Sequence, residues 1–528
     1  MSKPVKNKMI RGECIGEGTY GKVYREGDCI TKVYKSFSNH PLPQSILREI
    51  GFYEYFSERG STLIPKLLSF SKEGKIWEMN IEWGGIEIHK VDWSSNEEKY
   101  KAIHLLITSL VELQVNEKIL HRDLKPQNIL WNGETIKIID WGLSICSSVR
   151  TRKRYTEEVQ TLHWRAPEIL LYDKGPDDYN SKIDVWSIGI IIFNLLTGIR
   201  FPGDCEVDQL FKYFRVFGTP TKDFAPFLKK RRQFIDNFPV WSPRDLSCYY
   251  DIIEAVGPGF YDLLINNILV LDPTDRISPE HLKEHPLVMR WLNMYPAFSS
   301  VEANHVPLPF PSSLTSVTFK MYQILADWLL ETCFKFRFDF TSLALCLAII
   351  HKCLILKPNT IRTNFQLVGI SSLFIASNWC ETWAPEIKDL CYVCDNAYTK
   401  EEIGHEICSI FCSGISIFRC HNNLPITFFC KHYKENSIHS RKAFLLLFRD
   451  MIYRQGHFGD DPLWLVKKAV RIAKGDEEDP HPFQPLNRPS LTALKKCLKC
   501  PSRFSKMIGY SSLDIGDDIS PLFADFCV

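Results

Sequence analysis

The spacing of apolar residues divides the chain into two folded regions joined by a stretch without periodicity. In the first region, a short apolar stretch precedes a glycine-rich segment at 16–23, and a long apolar helix is predicted from Asp184 onward. Residues 291–317 are rich in Pro and Ser and keep no sustained period, which predicts a linker. Periodicity returns beyond it, where a helix over 321–331 places four apolar side chains on one face: Met321, Ile324, Leu325 and Trp328.

A polar tract in the first region carries the candidate chemistry. Residues 121–128 read HRDLKPQN, and Asp140-Trp141-Gly142 follows. This order resembles that of protein kinases, which carry Asp-Phe-Gly at the second motif. The resemblance implies that Asp123 accepts a hydroxyl proton, Lys125 neutralises charge on the transferred phosphoryl group, and Asn128 with Asp140 holds Mg²⁺.

A second motif lies upstream, where Gly16-Glu17-Gly18-Thr19-Tyr20-Gly21-Lys22-Val23 has the glycine spacing of a loop that closes over ATP phosphates. Alone, this spacing is weak, because a dinucleotide-binding turn or chance gives the same string. In the next predicted strand, Lys32 would reach the phosphates, and Glu49 on the following helix would hold that lysine. The predicted nucleotide-contacting residues of these two segments are Gly16, Glu17, Gly18, Gly21, Val23, Lys32 and Glu49.

The order of the motifs is more specific than any one of them. Downstream, Ala166-Pro167-Glu168 ends the predicted activation segment, and Arg276 is placed to pair with Glu168. Singly, Lys32 or Glu49 is more often a solvated surface charge, and Asp140 a turn former. Together, in this order, they predict an ATP-dependent protein kinase.

The subclass is indicated by two further stretches. Residues 43–49 read PQSILRE and resemble the PSTAIRE helix of cyclin-dependent kinases, and 201–204 through 217–220 resemble that family's insertion. The resemblance covers 10–290 and implies an α+β bilobal protein-kinase fold, ATP with Mg²⁺, and Ser/Thr acceptors. It also implies a helix that a cyclin pushes inward before Glu49 meets Lys32. By alignment, Ile81 is the gatekeeper and Glu82 begins the hinge.

Regulatory positions follow from the same resemblance. Thr156 falls where these kinases are phosphorylated for activation, and a phosphate there needs an arginine cluster. Arg48 and Arg122 supply two arginines, but the third position is Ile145. Thr19 and Tyr20 match inhibitory phosphorylation sites, although glycine-rich loops also simply tolerate polar tips.

Acceptor choice depends on one further position. Family members accept proline after the phosphorylated residue because of an unusual backbone turn in the activation segment, and Arg165 matches the residue that supports it. Gln160 stands where a small apolar residue is usual. We therefore expect a preference for proline that is present but relaxed.

The second region resembles a cyclin. Segments at 366–369, 376–381, 385–386 and 398–400 follow at spacings similar to those of the cyclin box. The chain is thus predicted to be a cyclin-dependent kinase fused to an all-α cyclin fold, with the box at 318–425. Residues 426–512 match a second cyclin repeat faintly, through stretches such as 444–453 and 463–473, and 513–528 form a tail.

The cyclin resemblance also implies a docking groove for substrates that carry an Arg-x-Leu sequence. Met321, Ile324, Leu325 and Trp328 occupy its apolar positions, Glu331 its acidic position and Gln366 its amide position. Ile324 and Leu325 are equally explained as core residues of an amphipathic helix. Glu406 matches a glutamate that contacts the kinase, but the position of its lysine partner is Asn378.

Composition limits the remaining classes. At 528 residues and a formal charge of +2, the chain is long enough for two or three domains and gives no reason to expect nucleic acid or an acidic membrane surface as partner. The apolar run at 343–356 is broken by His351 and Lys352, which favours a buried helix over a membrane span. Without a secretory apolar segment, we expect the 18 cysteines to be reduced and the protein to be cytoplasmic, nuclear or both.

Two other functions stay open at this point. A pseudokinase scaffold would only present binding surfaces, although Lys32, Asp123, Asn128 and Asp140 are all in place. Alternatively, the cyclin module would capture and activate, or sequester, an external kinase or its substrates. The expected partners are otherwise protein substrates and the chain's own cyclin domain, within one chain or between two.

Overall fold

The computed structural model describes most of the chain up to residue 411 and one further helix. The described residues are 12–17, 21–34, 44–73, 76–146, 159–171, 179–221, 226–229, 237–295, 317–336, 340–357, 362–381, 384–411 and 462–474, with single positions 234, 338, 413, 415, 417, 420, 424, 443, 447 and 476. Gly18, Thr19, Tyr20, Thr156, most of 426–512 and the tail at 513–528 lie outside them.

The N-terminal lobe is a five-stranded antiparallel sheet with one long helix. Its strand order is β1-β2-β3-β5-β4. The elements are β1 (Glu13–Glu17), β2 (Gly21–Glu26), β3 (Cys29–Tyr34), α1 (Gln44–Glu58), β4 (Leu67–Glu73) and β5 (Ile76–Glu82). In the register of β3 with β5, Lys32 lies opposite Met79 and Ile30 opposite Ile81, so Lys32 and Ile81 lie on the same face of the sheet.

Helix α1 is buried on nearly every side. Between Ile46 and Phe56 every residue is buried except Glu54, which is half-buried. Gly51 lies at the centre of this span. A helix without a polar face must have packing partners all round it. The N-terminal lobe covers one side of α1, and a helix of the C-terminal region, described below, covers another.

The C-terminal lobe is mainly helical. Its short strands form two small sheets, with orders β6-β8-β9 and β10-β7. The strands are β6 (Ile86–Glu87), β7 (Ile119–Leu120), β8 (Ile129–Trp131), β9 (Ile136–Ile138) and β10 (Ile145–Cys146). The helices are α2 (Asn96–Val111), α3 (Pro167–Leu170), α4 (Lys182–Thr197), α5 (Glu206–Phe217), α6 (Pro226–Lys229), α7 (Tyr250–Glu254), α8 (Phe260–Asp262), α9 (Pro279–Glu284) and α10 (Pro286–Met294).

Helix α4 is the central helix of this lobe, as the apolar run after Asp184 predicts. Its residues from Ile183 to Phe193 are all buried, which explains why the run lacks a polar face. The helix ends at Gly198, whose φ of 73° is a left-handed conformation that glycine adopts without steric cost.

The C-terminal region consists of helices. They are α11 (Phe319–Phe336), α12 (Phe340–Leu356), α13 (Phe365–Cys380), α14 (Ile387–Val393), α15 (Lys400–Phe411) and, farther along, α16 (Pro462–Lys474). Helices α12 and α13 are buried along most of their length and form the centre of the region. Helix α16 covers the helical stretch predicted at 463–473.

The last helix of the C-terminal lobe extends past the start of the predicted linker. Helix α10 continues to Met294, past the start of the predicted linker at 291, because Trp291 is buried in the C-terminal lobe at 2% exposure. Helix α11 then begins at Phe319. Within the described part of the chain, no helix is both long and apolar enough to cross a membrane.

Candidate active site

A buried aspartate, Asp184, holds the backbone of the HRDLKPQN tract in place. Asp184, at the start of α4, accepts hydrogen bonds from the backbone N–H groups of His121 at 2.8 Å and Arg122 at 3.0 Å. Arg122 itself has φ of 65°. Burial raises the pKa of Asp184, and the hydrogen bonds it accepts oppose that rise. The aspartate thus holds the strained turn that immediately precedes Asp123.

Asp123 is held by groups on both carboxylate oxygens. Its Oδ1 accepts from the backbone N–H of Thr161 at 2.9 Å and from the Thr161 hydroxyl at 2.8 Å. Its Oδ2 lies 2.7 Å from Lys125 Nζ, which also donates to the Thr161 hydroxyl at 3.1 Å. The carboxylate and the ammonium therefore occupy one small site, in the positions that a base and a neutralising cation need.

Two oxygen donors for a cation lie beside this site. Asn128 donates its side-chain N–H to the Asp123 carbonyl oxygen at 2.9 Å, which leaves its own Oδ1 as the acceptor. Asp140 is half-buried, with φ of 67°. A carboxylate and an amide oxygen are hard ligands of the kind Mg²⁺ prefers, so the donor set fits a magnesium nucleotide.

The predicted ion pair between Lys32 and Glu49 is formed. Lys32 Nζ contacts Glu49 Oε1. Burial opposes the charge on Lys32, but the carboxylates of Glu49 and Asp140 outweigh it, so the pKa of Lys32 lies above its ordinary value. The contribution from Asp140 indicates that its carboxylate also lies near Lys32.

Tyr34 is an unpredicted partner in this pair. It lies two residues after Lys32 on β3, hence on the same face, and its hydroxyl donates to Glu49 Oε2 at 3.2 Å. Each oxygen of the Glu49 carboxylate therefore has its own donor. Burial raises the pKa of the Tyr34 hydroxyl, and the Glu49 charge adds to the rise, so this donor stays protonated. The period-two spacing from Lys32 is the sequence signal that could have identified it.

The predicted nucleotide pocket is built from β1, β2 and β5. A Cβ at Gly21 would lie 2.1 Å from the Val33 carbonyl oxygen, so only glycine permits this strand pairing. Val23 packs against the core, and the exposed Glu17 forms a 3.4 Å ion pair with Lys22. No close contact restricts Gly16, whose nearest neighbour to an added Cβ is Val23 at 3.9 Å.

At the far end of the pocket, Ile81 is buried at 3% exposure. Glu82 follows it and pairs through its side chain with Lys137 at 3.4 Å. The backbone N–H of Glu82 donates to the Lys66 carbonyl oxygen at 2.9 Å. The roles of Ile81 as gatekeeper and of Glu82 as the first hinge residue stay predictions.

Trp141, in place of the usual phenylalanine, lies in an aromatic cluster. It is fully buried, and its indole N–H donates to the Ile138 carbonyl at 3.1 Å. Its ring centroid lies 4.9 Å from that of His121, 5.6 Å from Phe52 and 5.1 Å from Phe56. The larger ring is therefore accommodated between the catalytic tract and α1.

Arg48 and Arg122 lie together, as the phosphate-site prediction requires. Both are buried, and among the described residues Arg48 Nε has no hydrogen-bond partner. Burial, with a contribution from the Arg122 charge, lowers the pKa of Arg48 to about 9. Ile145 does not join them as a third cation and instead pairs with Leu120 in a small sheet. Thr156 lies outside the described residues.

The turn at Gln160 has the backbone conformation expected for the acceptor site. Its φ is 65°, and its carbonyl oxygen accepts from Arg165 Nη2 at 3.0 Å and Nε at 3.2 Å. The Gln160 side chain points inward and is 4% exposed. It donates to Ser187 Oγ at 2.8 Å and accepts from the Ala166 N–H at 2.9 Å. Sequence reasoning identified the turn but not the inward amide.

The predicted docking residues lie on α11 and at the start of α13. Ile324 is 60% exposed, while Met321, Trp328, Glu331 and Gln366 are half-buried. Leu325 differs, because it is 7% exposed and packs where a Cβ on Gly369 would lie 2.9 Å away. Leu325 is therefore a core residue between α11 and α13, and the other apolar positions are accessible at least in part.

The C-terminal region contacts the N-terminal lobe through α1 and α13. Trp379 packs against Phe52 with ring centroids 5.2 Å apart, and Arg48 Nη2 lies 3.5 Å from the Glu381 carbonyl oxygen. Glu406, which was matched to a kinase-contacting glutamate, instead pairs with Lys357 of its own region at 3.4 Å. Neither Trp379 nor Gly51, which it covers, was singled out from the sequence.

Comparison with known families agrees with this geometry. The protein kinase domain family matches residues 9–288, and the N-terminal domain of cyclins matches residues 293–406. The first match contains the catalytic tract, the nucleotide pocket and the Gln160 turn, and the second contains the predicted docking residues and Trp379. The predicted fold, an α+β bilobal kinase followed by an all-α cyclin domain, is confirmed.

Proposed function

The chain belongs to the protein kinase family, and we propose that it is a serine/threonine kinase of the cyclin-dependent type, activated by its own cyclin domain. The observation that carries the proposal is the Lys32–Glu49 pair, formed in a chain whose α1 is covered by its own α13. The position of α1 decides whether the Lys32–Glu49 pair forms, and phosphoryl transfer requires this pair.

The proposed mechanism assigns each step to a residue already placed. Mg²⁺-ATP supplies the phosphoryl group and neutralises charge between its phosphates. Asp123, held by Thr161 and Lys125, orients the acceptor hydroxyl and takes its proton. Lys125 faces the negative charge that gathers on the transferred group, and Lys32 holds the nucleotide. Asn128 and Asp140 supply the oxygen ligands.

The proposed acceptor is a serine or threonine followed by proline. With Gln160 in the left-handed conformation, its carbonyl oxygen is engaged by Arg165 and does not face the substrate. A residue with a backbone N–H after the acceptor would lose a hydrogen-bond partner, whereas proline has no N–H to satisfy. The Gln160 side chain forms hydrogen bonds that support this turn, so its polar character does not by itself require a relaxed preference for proline. The preference for proline then depends on the turn.

We further propose that the cyclin domain docks substrates with an Arg-x-Leu sequence. The exposed Ile324 and half-buried Met321 and Trp328 supply apolar surface, and Glu331 supplies the charge for the arginine. Gln366 lies at the start of α13 with its amide for the peptide backbone. Because Leu325 belongs to the core, the groove is shallower than the sequence implies, which favours a modest, micromolar-range affinity of about 8 kcal/mol at most.

The direct test is activity without an added cyclin. Purified full-length chain is expected to phosphorylate histone-type protein and Ser-Pro peptides with Mg²⁺-ATP alone. Asp123→Asn and Asp140→Asn are expected to lower kcat by about three orders of magnitude or more while the unfolding temperature changes little. A chain that stays inert until a separate cyclin is supplied would remove self-activation from the proposal.

A peptide library separates acceptor choice from activity. Enrichment of proline immediately after the acceptor is expected, and its absence in an active enzyme would remove the proline proposal alone. The Asp123→Asn chain is the control for contamination. Residual phosphorylation by that variant would point to a contaminating kinase.

A further inference from the structure

Gly51 occupies an unfavourable position for a glycine. It lies in the interior of α1, between buried Ile50 and Phe52, and it is not among the described residues with positive φ. Glycine is the poorest helix former after proline, because it gives up the most backbone freedom. Neither a turn nor a left-handed backbone accounts for it here, so the reason must lie in what approaches the helix.

The group that approaches is the indole of Trp379. A Cβ on Gly51 would lie 2.5 Å from Trp379 Cζ3 and 3.1 Å from Cη2. The first distance is shorter than any real carbon contact, so a side chain at this position would displace the indole. Gly51 therefore forms a seat on α1, and the six-membered ring of Trp379 fills it.

The seated indole is continuous with the catalytic tract through aromatic rings. Trp379 contacts Phe52 at 5.2 Å between centroids, Phe52 contacts Trp141 at 5.6 Å, and Trp141 contacts His121 at 4.9 Å. Trp141 adjoins Asp140, and His121 lies two residues before Asp123. A displacement of the indole would thus be passed to the residues that flank both catalytic aspartates, because closely packed interiors transmit strain.

We infer that Trp379 seated on Gly51 is the contact by which this kinase recognises its own cyclin box as activator, and that kinase helices bearing a side chain at that position cannot take this box. The inference deepens the proposed function, and the measurement of kcat that tests it rests on that function. A cyclin with a smaller side chain would leave the seat empty, which costs both contact and buried area. Selection is therefore by fit of shape on both partners.

The test exchanges volume between the two positions in the full-length chain. Gly51→Ala improves helix propensity, so any loss must come from the clash with the indole. It is expected to lower kcat on a short peptide by about tenfold to a hundredfold, as overpacking of this kind does. Trp379→Phe removes Cζ3 and Cη2, the two atoms nearest the added methyl, so Gly51→Ala/Trp379→Phe is expected to recover most of the activity that Gly51→Ala loses.

Hydrogen exchange of the α1 amides provides a readout independent of catalysis. Gly51→Ala is expected to reduce protection of α1, and the double variant to restore it, whether or not the wild-type chain is active. Inert wild-type chain with this exchange pattern would defeat the proposed function and keep the inference. Active wild-type chain with Gly51→Ala unchanged in both kcat and exchange would overturn the inference and keep the function.

Two further variants separate loss of the contact from loss of folding. Tyr392→Ala removes a side chain of the same cyclin domain that is 77% exposed and is expected to change neither readout. If Gly51→Ala does not fold, Trp379→Ala creates no clash and carries the test, with reduced α1 protection and lower kcat expected. Unchanged protection in Trp379→Ala, or a double variant no better than Gly51→Ala, would each contradict the seat.

Discussion

The Gln160 amide offers a sharp quantitative test of how the acceptor site is built. The side chain is 4% exposed and makes three hydrogen bonds, to the Ile183 carbonyl at 3.1 Å, to Ser187 Oγ at 2.8 Å and from the Ala166 N–H at 2.9 Å. Gln160→Ala removes all three, and no solvent replaces them at a buried site. Gln160→Gly removes the same three bonds but also relieves the left-handed backbone.

The magnitudes follow from this comparison. At about 1 kcal/mol for each buried hydrogen bond, Gln160→Ala should destabilise the kinase domain by about 3 kcal/mol. Relief of the left-handed conformation returns about 1 kcal/mol, so Gln160→Gly should cost about 2 kcal/mol. The difference in unfolding free energy between the two variants measures the cost of the left-handed backbone. The loss of stability that the variants share measures the contribution of the amide.

Urea unfolding and a peptide library together measure the effect. The midpoint is expected to fall in the order wild type, Gln160→Gly, Gln160→Ala, with an unchanged slope. Proline enrichment should weaken in both variants, because the turn then loses the side-chain hydrogen bonds that anchor it to Ser187 and Ala166. A cost below about 0.5 kcal/mol for Gln160→Ala would refute the supporting role of the amide, since a surface residue would give that value.

Three further changes test separate parts of the site. Arg276→Ala should destabilise the kinase domain by about 3–5 kcal/mol in urea unfolding, because it leaves buried Glu168, now bound at 2.7 and 3.0 Å, without its partner. Tyr34→Phe should lower kcat severalfold in peptide assays, since Glu49 loses one of its donors; an unchanged kcat would make that bond dispensable. Trp328→Ala should raise KM for Arg-x-Leu proteins only, and equal losses on short peptides would indicate damaged folding instead.

The catalytic half of the site could be predicted because its residues lie in compact motifs. The pairing of Lys32 with Glu49 and of Arg276 with Glu168 was predicted from the order of motifs, and both pairs are formed. Tyr34 was within reach of the same reasoning, since a residue two positions after Lys32 shares its face of the strand. Each of these pairs joins two separate elements, and it was the resemblance to protein kinases, carried by the order of the motifs, that predicted them.

The sequence was less informative where two distant elements meet. Gln160 stands where a small apolar residue is usual, and the sequence did not indicate that its side chain turns inward to Ser187 on α4 and to Ala166 just before α3; the relaxed preference for proline stays a prediction. Leu325 shares a helical face with Ile324, but only the approach of Gly369 decides that Leu325 is buried. Helical periodicity assigns a face and leaves open which part of that face another helix covers.

The contact between cyclin domain and kinase domain depends on shape more than on charge. Glu406 is engaged with Lys357 inside the cyclin domain, and Asn378, at the matched lysine position, is buried with its amide donating to the Phe374 carbonyl at 2.9 Å. Covalent connection between Met294 and Phe319 keeps the effective concentration of the cyclin domain high whatever contacts it makes. Long-range charge steering, which serves partners that must find each other by diffusion, is then unnecessary. A tethered pair needs only a contact that distinguishes the correct arrangement once the domains meet, and the indole of Trp379 over Gly51 is a contact of that kind.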